Sequence, residues 1–386
     1  MKINTMRNID RFAGIPLCWF LGFIVSLFCK LRIKQSYPGA KNILVIKFFG
    51  MGSILLSTPA LSLMRQAFPN AQLWYLSFET NRELIERLPV VDRVLTIRTS
   101  TFAAFLSDTL KVITHTRRIT FDIVFDFEFF SKFSTVIAGL TNAPYRLGFS
   151  LPTQWRKRLL THQVSLLKEN HVTKAFCELV FTMSSRISVP PLVPPTITHE
   201  DVQSLNNKIH LNGNSIICVN VNAGETFLER RWLPEQFAEL VDRLSAEKDR
   251  EFFFIGSGEE CEYVQNVIEL TSVRKRCYNL AGVLSIPELA ALFKHCDMII
   301  SNDSGPVHLA AALGTPMLAL YGPETPQFYG PIGDNVSIIY KRVSCSPCMN
   351  LYDAKTFRCP YSALCMREIS VAEVEEKVET VCAEYQ

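Results

Sequence analysis

Residues 298–310 read MIISNDSGPVHLA. Met298–Ile300 is an apolar run of strand length, Ser301-Asn302-Asp303-Ser304-Gly305 is a tight polar turn, and Pro306–Leu313 is a helix that Pro306 opens and Gly314 closes. A second apolar strand, Met317–Leu320, follows and ends in Tyr321-Gly322-Pro323. This order builds a parallel sheet, because a crossover helix is what returns the chain alongside the strand it has just left. The same alternation surrounds the stretch. Ile216–Val221 and Glu251–Ile255 read as strands, Leu233–Glu247 and Ile286–His295 as helices. Upstream, Asn42–Lys47, Leu73–Phe78, Val94–Ile97 and Phe121–Phe127 read as strands, with helices over Ile54–Ala67 and Phe129–Leu140. Between the two sets lies Ser188–Thr196, SVPPLVPPT, whose prolines make a stiff, extended linker. The pattern predicts an α/β chain of two Rossmann-like, doubly wound domains. An N-terminal segment occupies 1–38, the N-terminal domain 39–187, the linker 188–196, the C-terminal domain 197–344, and a cysteine-bearing tail with a final helix 345–386. Ligands of such sheets bind beyond the C-terminal ends of the strands. Two such domains facing each other place the site in a cleft.

The totals agree. A length of 386 residues suits two domains, and 48% hydrophobic residues supply two cores. A net charge of +3, with no basic run interleaved with aromatics, excludes nucleic acid as a partner. No repeat at solenoid spacing occurs.

Phe12–Cys29 carries no charge, while Arg7 and Arg11 precede it and Lys30, Arg32 and Lys34 follow. A helix of that length falls just short of a bilayer core. Its apolar residues cover every helix face, so membrane contact is the expectation, by spanning or by lying in the interface. A buried helix packing on the catalytic domain is the plainer alternative.

Two loops carry the chemistry. The first is Lys47-Phe-Phe-Gly50-Met-Gly52-Ser53, leading into a helix. The second is the Asp303–His308 turn, with Gly314-Thr315-Pro316 and Tyr321-Gly322-Pro323 after it. Each sets a helix N-terminus after an apolar strand, where unpaired N–H groups and the helix dipole suit a phosphate or a sugar hydroxyl. A dinucleotide pattern would need a third glycine where this chain has Leu55.

From about Lys41 to about Ile369 these residues resemble glycosyltransferase family 9, the heptosyltransferase family of lipopolysaccharide assembly. The resemblance is carried by D-S-G-x-x-H-L-A, then G-T-P and Y-G-P, and by Arg230-Arg231-Trp232-Leu-Pro234. It implies a GT-B fold, an ADP-heptose or related nucleotide-diphosphate sugar donor, a glycolipid or other membrane-bound glycan acceptor, and no catalytic metal. It also implies work at a membrane surface, the cytoplasmic face of the bacterial inner membrane. Carried onto this chain, Asp303, Ser304, Gly305 and His308 line the donor, with Gly256 at a neighbouring strand end. Arg230 or Arg231 balances the leaving diphosphate, whose growing charge the transition state most needs stabilised. The plainer alternatives are an arginine stacked on Trp232 and a histidine that only packs or caps its helix.

One position departs from the family. The first loop has Ser53 where G-x-G-D is usual, and that Asp is the expected base toward the acceptor hydroxyl. A serine hydroxyl cannot take that proton unaided near neutral pH. A carboxylate at the end of the Phe121–Phe127 strand is the expected replacement, Glu128 ahead of Asp126, with Ser53 orienting the acceptor and Gly50 and Gly52 shaping its loop. Glu128 capping the next helix is the alternative. A second reading of the whole chain is a non-catalytic nucleotide-sugar-binding subunit of a glycan assembly complex.

Cys345, Cys348, Cys359 and Cys365 fall within one loop-like stretch. Four thiols so grouped can hold a structural zinc or iron, or pack a loop as free cysteines.

Overall fold

A computed structural model of the chain describes Asp10, Gly14, Pro16 and Cys18–Phe20 near the N-terminus. It then describes residues 39–150, 156–166, 169–184, 188–210, 215–224, 227–349 and 359–385. Most of the Phe12–Cys29 segment, and residues 350–358 of the cysteine-bearing tail, lie outside the described residues. The chain forms two compact units that divide between Val193 and Pro194, within the extended Ser188–Thr196 stretch.

The first unit runs β1 (Asn42–Ile46), α1 (Met51–Leu56), α2 (Thr58–Ala67), β2 (Gln72–Phe78), α3 (Arg82–Glu86), β3 (Arg93–Ile97), α4 (Phe102–Ile119), β4 (Ile123–Asp126), α5 (Lys132–Leu140), β5 (Tyr145–Ser150), β6 (His162–Ser165) and α6 (Val172–Phe181). Its sheet has the order β3-β2-β1-β4-β5-β6, and every pairing is parallel. Leu44, Ile46, Leu76, Ile97 and Val124 are buried in its core, as apolar strands covered on both faces must be.

The second unit runs α7 (His199–Lys208), β7 (Ser215–Asn220), α8 (Pro234–Glu247), β8 (Arg250–Phe254), α9 (Cys261–Leu270), β9 (Cys277–Asn279), α10 (Ile286–His295), β10 (Met298–Asn302), α11 (Gly305–Leu313), β11 (Met317–Tyr321), α12 (Pro326–Tyr329), β12 (Val336–Tyr340), α13 (Leu364–Arg367) and α14 (Val371–Tyr385). Its parallel sheet has the order β12-β11-β10-β7-β8-β9. Strand order therefore reverses twice, between β1 and β4 and between β7 and β10, and loops diverging at such a point leave room for a ligand.

Several boundaries differ from the sequence reading. The helix expected over Ile54–Ala67 begins at Met51 and breaks at Ser57, ahead of Pro59. The helix expected from Phe129 begins at Lys132. Its cap is Ser131, whose side chain accepts from Ser134 N–H. Asp10, from the N-terminal segment, takes the next two donors, Lys132 and Phe133 N–H, at 2.9 and 2.8 Å. Glu128 therefore does not cap this helix.

Candidate active site

At the first reversal, the loops after β1 and β4 are tied to each other. Glu128 Oε1 accepts from Lys47 Nζ at 2.9 Å, Phe48 N–H at 2.7 Å and Phe49 N–H at 3.0 Å. Both side chains are buried, Lys47 3% and Glu128 7% exposed. One carboxylate oxygen thus fixes the backbone on which Gly50 must turn, and Gly50 does so at φ 83, where a side chain would be strained. In Glu128, the expected base, Oε1 is thus committed to three donors and holds the loop.

Asp126, the other carboxylate expected there, is enclosed more fully. It is fully buried and bonded to Arg156, and it accepts from Thr135 Oγ1 at 2.7 Å. Arg156 also donates to Thr135 Oγ1 and to the carbonyls of Glu128 and Phe129, each at 2.7 Å. Burial pushes the proton affinity of Asp126 up and Arg156 opposes it. Ser53 is different: its Oγ is buried in α1 without a hydrogen-bond partner among the described residues. Gly52 is buried beside it.

The second reversal is built from the same elements but is left open. β10 runs into Asn302-Asp303-Ser304, and α11 starts at Gly305 with no side-chain cap from Ser304. The Ser304 hydroxyl instead accepts from Asn220 Nδ2 at 2.7 Å, which also reaches Ser301 at 2.9 Å. Trp232 N–H donates to Asn302 Oδ1 at 2.9 Å, tying the loop after β7 to the loop after β10. Arg230 Nη1 lies 3.3 Å from Asp303 Oδ2, and its Nη2 donates to the Ala223 carbonyl. Among the described residues, Arg230 Nε and Asn222 Oδ1 are buried here without a partner. Asn222 is 3% exposed, and its amide donates to the Ile255 carbonyl at 3.0 Å. A side chain at Gly256 would stand 2.7 Å from that amide, so this glycine makes room for Asn222. His308 is buried in the first turn of α11.

The arginine alternatives separate here. Trp232 is wholly buried, donates from Nε1 to the Ile369 carbonyl and packs edge-on against Phe237, so it is a core residue. Arg231 lies over the Tyr263 ring at 4.3 Å and 3.7 Å from Glu260. Arg230 is the arginine at the Asp303 loop. Glu324, just beyond Tyr321-Gly322-Pro323, escaped the sequence reading. Burial first, and then the Asp303 carboxylate, push its proton affinity up to about 7, while Thr325 N–H and Arg230 oppose the rise.

The four tail cysteines are all free thiols. Cys348 and Met349 N–H both donate to the Pro323 carbonyl, at 3.0 and 2.9 Å, so this strap braces the turn that carries Glu324. Burial pushes the Cys365 thiol up to about 11, and the other three cysteines act on it electrostatically. Among the described residues, no three His, Cys, Asp or Glu side chains converge to hold a metal ion.

Comparison with known proteins decides the family. The sequence model of glycosyltransferase family 9 (heptosyltransferase) matches residues 109–356. This chain belongs to that family. As a family 9 protein it is a glycosyltransferase. It is 25% identical over 308 residues to lipopolysaccharide heptosyltransferase 2 of Escherichia coli K12, covering 77% of this chain and 87% of that one. A family 9 glycosyltransferase from Veillonella parvula superposes with a TM-score of 0.75 at 25% identity, over 89% of this chain and 97% of that one. The E. coli ADP-heptose heptosyltransferase II superposes at 0.72 with 21% identity, over 89% and 99%. These likenesses make the two sheets those of a GT-B fold.

Proposed function

We propose that this glycosyltransferase moves a heptose from ADP-heptose to a hydroxyl of a lipopolysaccharide-type glycolipid, with inversion, at the cytoplasmic face of the inner membrane. The observation that carries the reading is the open second reversal. An Arg230–Asp303 pair, an uncapped helix N-terminus and two unpartnered buried polar atoms stand together there. A buried polar atom without a partner is costly, and a ligand that supplies the missing bond removes the cost. Arg230 would meet the diphosphate and stabilise its charge as the glycosidic bond breaks. Asp303 would then be freed to accept from sugar hydroxyls, and the N–H groups opening α11 would add further donors. At the first reversal, the Ser53 hydroxyl would orient the acceptor. The naming of the E. coli and Haemophilus influenzae relatives as heptosyltransferases of lipopolysaccharide and lipooligosaccharide supports the donor and the acceptor class.

The experiment is ADP release on mixing ADP-heptose with a heptose-accepting glycolipid. Release that needs both substrates is expected. Tight ADP-heptose binding without any release, across a panel of acceptors, would favour the binding-subunit reading instead.

The tail cysteines are proposed as a structural zinc or iron site, on their grouping in one stretch of sequence and on Cys348 and Cys365 both lying against the Gly322-Pro323 turn. A metal there would fix the strap on Pro323. Elemental analysis of protein isolated without chelators is expected to find about one metal per chain. Metal-free protein with an unchanged Tm overturns it.

A further inference from the structure

Helix α4 has apolar residues on two faces. Phe105 and Val112 pack toward the core. Phe102, Leu106 and Leu110 do not: they are 56%, 48% and 57% exposed. Their spacing of four puts them on one ridge of the helix. Single exposed leucines are ordinary, whereas a contiguous apolar ridge marks a contact surface. The charge of the helix is one-sided as well. Lys111, Arg117 and Arg118 are exposed, while its single carboxylate, Asp108, is buried and held by Arg98 at 2.7 and 2.9 Å.

The same unit carries a second exposed apolar pair. Helix α5 touches α4 through Phe133 and Phe105, ring centroids 5.0 Å apart. On α5 also rests the N-terminal segment, held by Asp10 at the helix start and by Cys18 packing with Val136 and Leu159. With Cys18 turned inward, the next two residues, Trp19 and Phe20, are 61% and 64% exposed. The Arg158 guanidinium lies 4.7 Å from the Trp19 ring centroid. Among the described residues, no helix is long and apolar enough to cross a membrane.

We propose that the Phe102–Leu106–Leu110 ridge, together with Trp19 and Phe20, seats the N-terminal unit on an anionic lipid bilayer, lying in its interface. Aromatic and aliphatic residues beside exposed lysine and arginine are what an interfacial helix presents to such a surface. A second copy of the chain fits less well, because a twofold contact would set these basic residues against their own equivalents. The proposal deepens the glycolipid-acceptor reading but is tested apart from it, with vesicles that carry no glycan.

The full chain is sedimented with vesicles of phosphatidylglycerol and phosphatidylethanolamine, and with phosphatidylcholine alone. Binding to the anionic vesicles, weakening as salt rises, is expected. The double variant Leu106→Glu, Leu110→Glu is expected to bind at least about tenfold more weakly while keeping its ADP affinity, which also reports that it is folded. As a second variant, Leu110→Trp is expected to gain fluorescence quenching by brominated lipids over the parent chain. Vesicle binding unchanged in the double variant, equal binding to phosphatidylcholine, or no added quenching overturns the proposal. So does a dimer in solution that the double variant converts to monomer without loss of vesicle binding.

Discussion

The chain builds the same strand-order reversal twice and fills the two in opposite ways. Between β1 and β4 the loops satisfy each other, since Glu128 accepts from Lys47 and from two backbone N–H groups of the facing loop. Between β7 and β10 the loops are also joined, by Trp232 N–H on Asn302 and by Arg230 on Asp303, but among the described residues Arg230 Nε and Asn222 Oδ1 are left unpartnered. A doubly wound sheet supplies the place for a ligand, but the side chains decide whether that place is braced from within or waits for a partner. The brace gives a rigid loop around Ser53. On the proposed reading, the opening takes the donor diphosphate.

Breaking the brace should give the largest effect. Lys47→Met leaves the Glu128 carboxylate buried without its cation and is expected to cost about 3–5 kcal/mol of stability, read by denaturant unfolding. Breaking the opening should act on chemistry instead. Arg230→Met is expected to lower kcat/KM by about 10²–10³-fold with Tm nearly unchanged. Equal loss of stability in both variants would erase the contrast.

A smaller effect comes from Glu324. Its proton affinity, raised to about 7, means that it is protonated below that pH and charged above it. The added negative charge beside Asp303 opposes a diphosphate. ADP-heptose affinity should therefore fall roughly threefold to tenfold as pH rises through 7, and Glu324→Gln should flatten the profile. An affinity that rises over the same range contradicts this placement. Smallest is Asp10→Ala, which removes the carboxylate at the start of α5 and is expected to cost about 1 kcal/mol, seen as a lower Tm.

Much of this was legible in the sequence, for physical reasons that differ by region. Strands such as β1 and β10 are buried on both faces, so their apolar runs declare them without any alternation. The Asp303–His308 turn is a contiguous motif, and its strand-turn-helix context is local. What escaped is what depends on distant residues. Asp10 meets Lys132 across 122 positions, and no local pattern shows that it takes the place given to Glu128 as a helix cap. Glu128 looked free because Lys47 lies 81 positions away. Trp232 looked like a stacking surface because its partner, the Ile369 carbonyl, is 137 positions on. Asn222 and Glu324 did leave a signal. Each is a polar residue just beyond an apolar strand of the second sheet, where ligands of such sheets bind.

Calorimetric titration of ADP-heptose into Arg230→Met and Glu128→Gln, each in the full chain, tests the contrast most directly. The glutamine keeps an oxygen for the same three donors but leaves the buried Lys47 without its anion, so the brace is weakened while its hydrogen bonds are kept. The account predicts at least about tenfold weaker binding for Arg230→Met and nearly parental binding for Glu128→Gln. The reverse pattern, with binding lost in Glu128→Gln and kept in Arg230→Met, would place the donor at the first reversal and contradict the account.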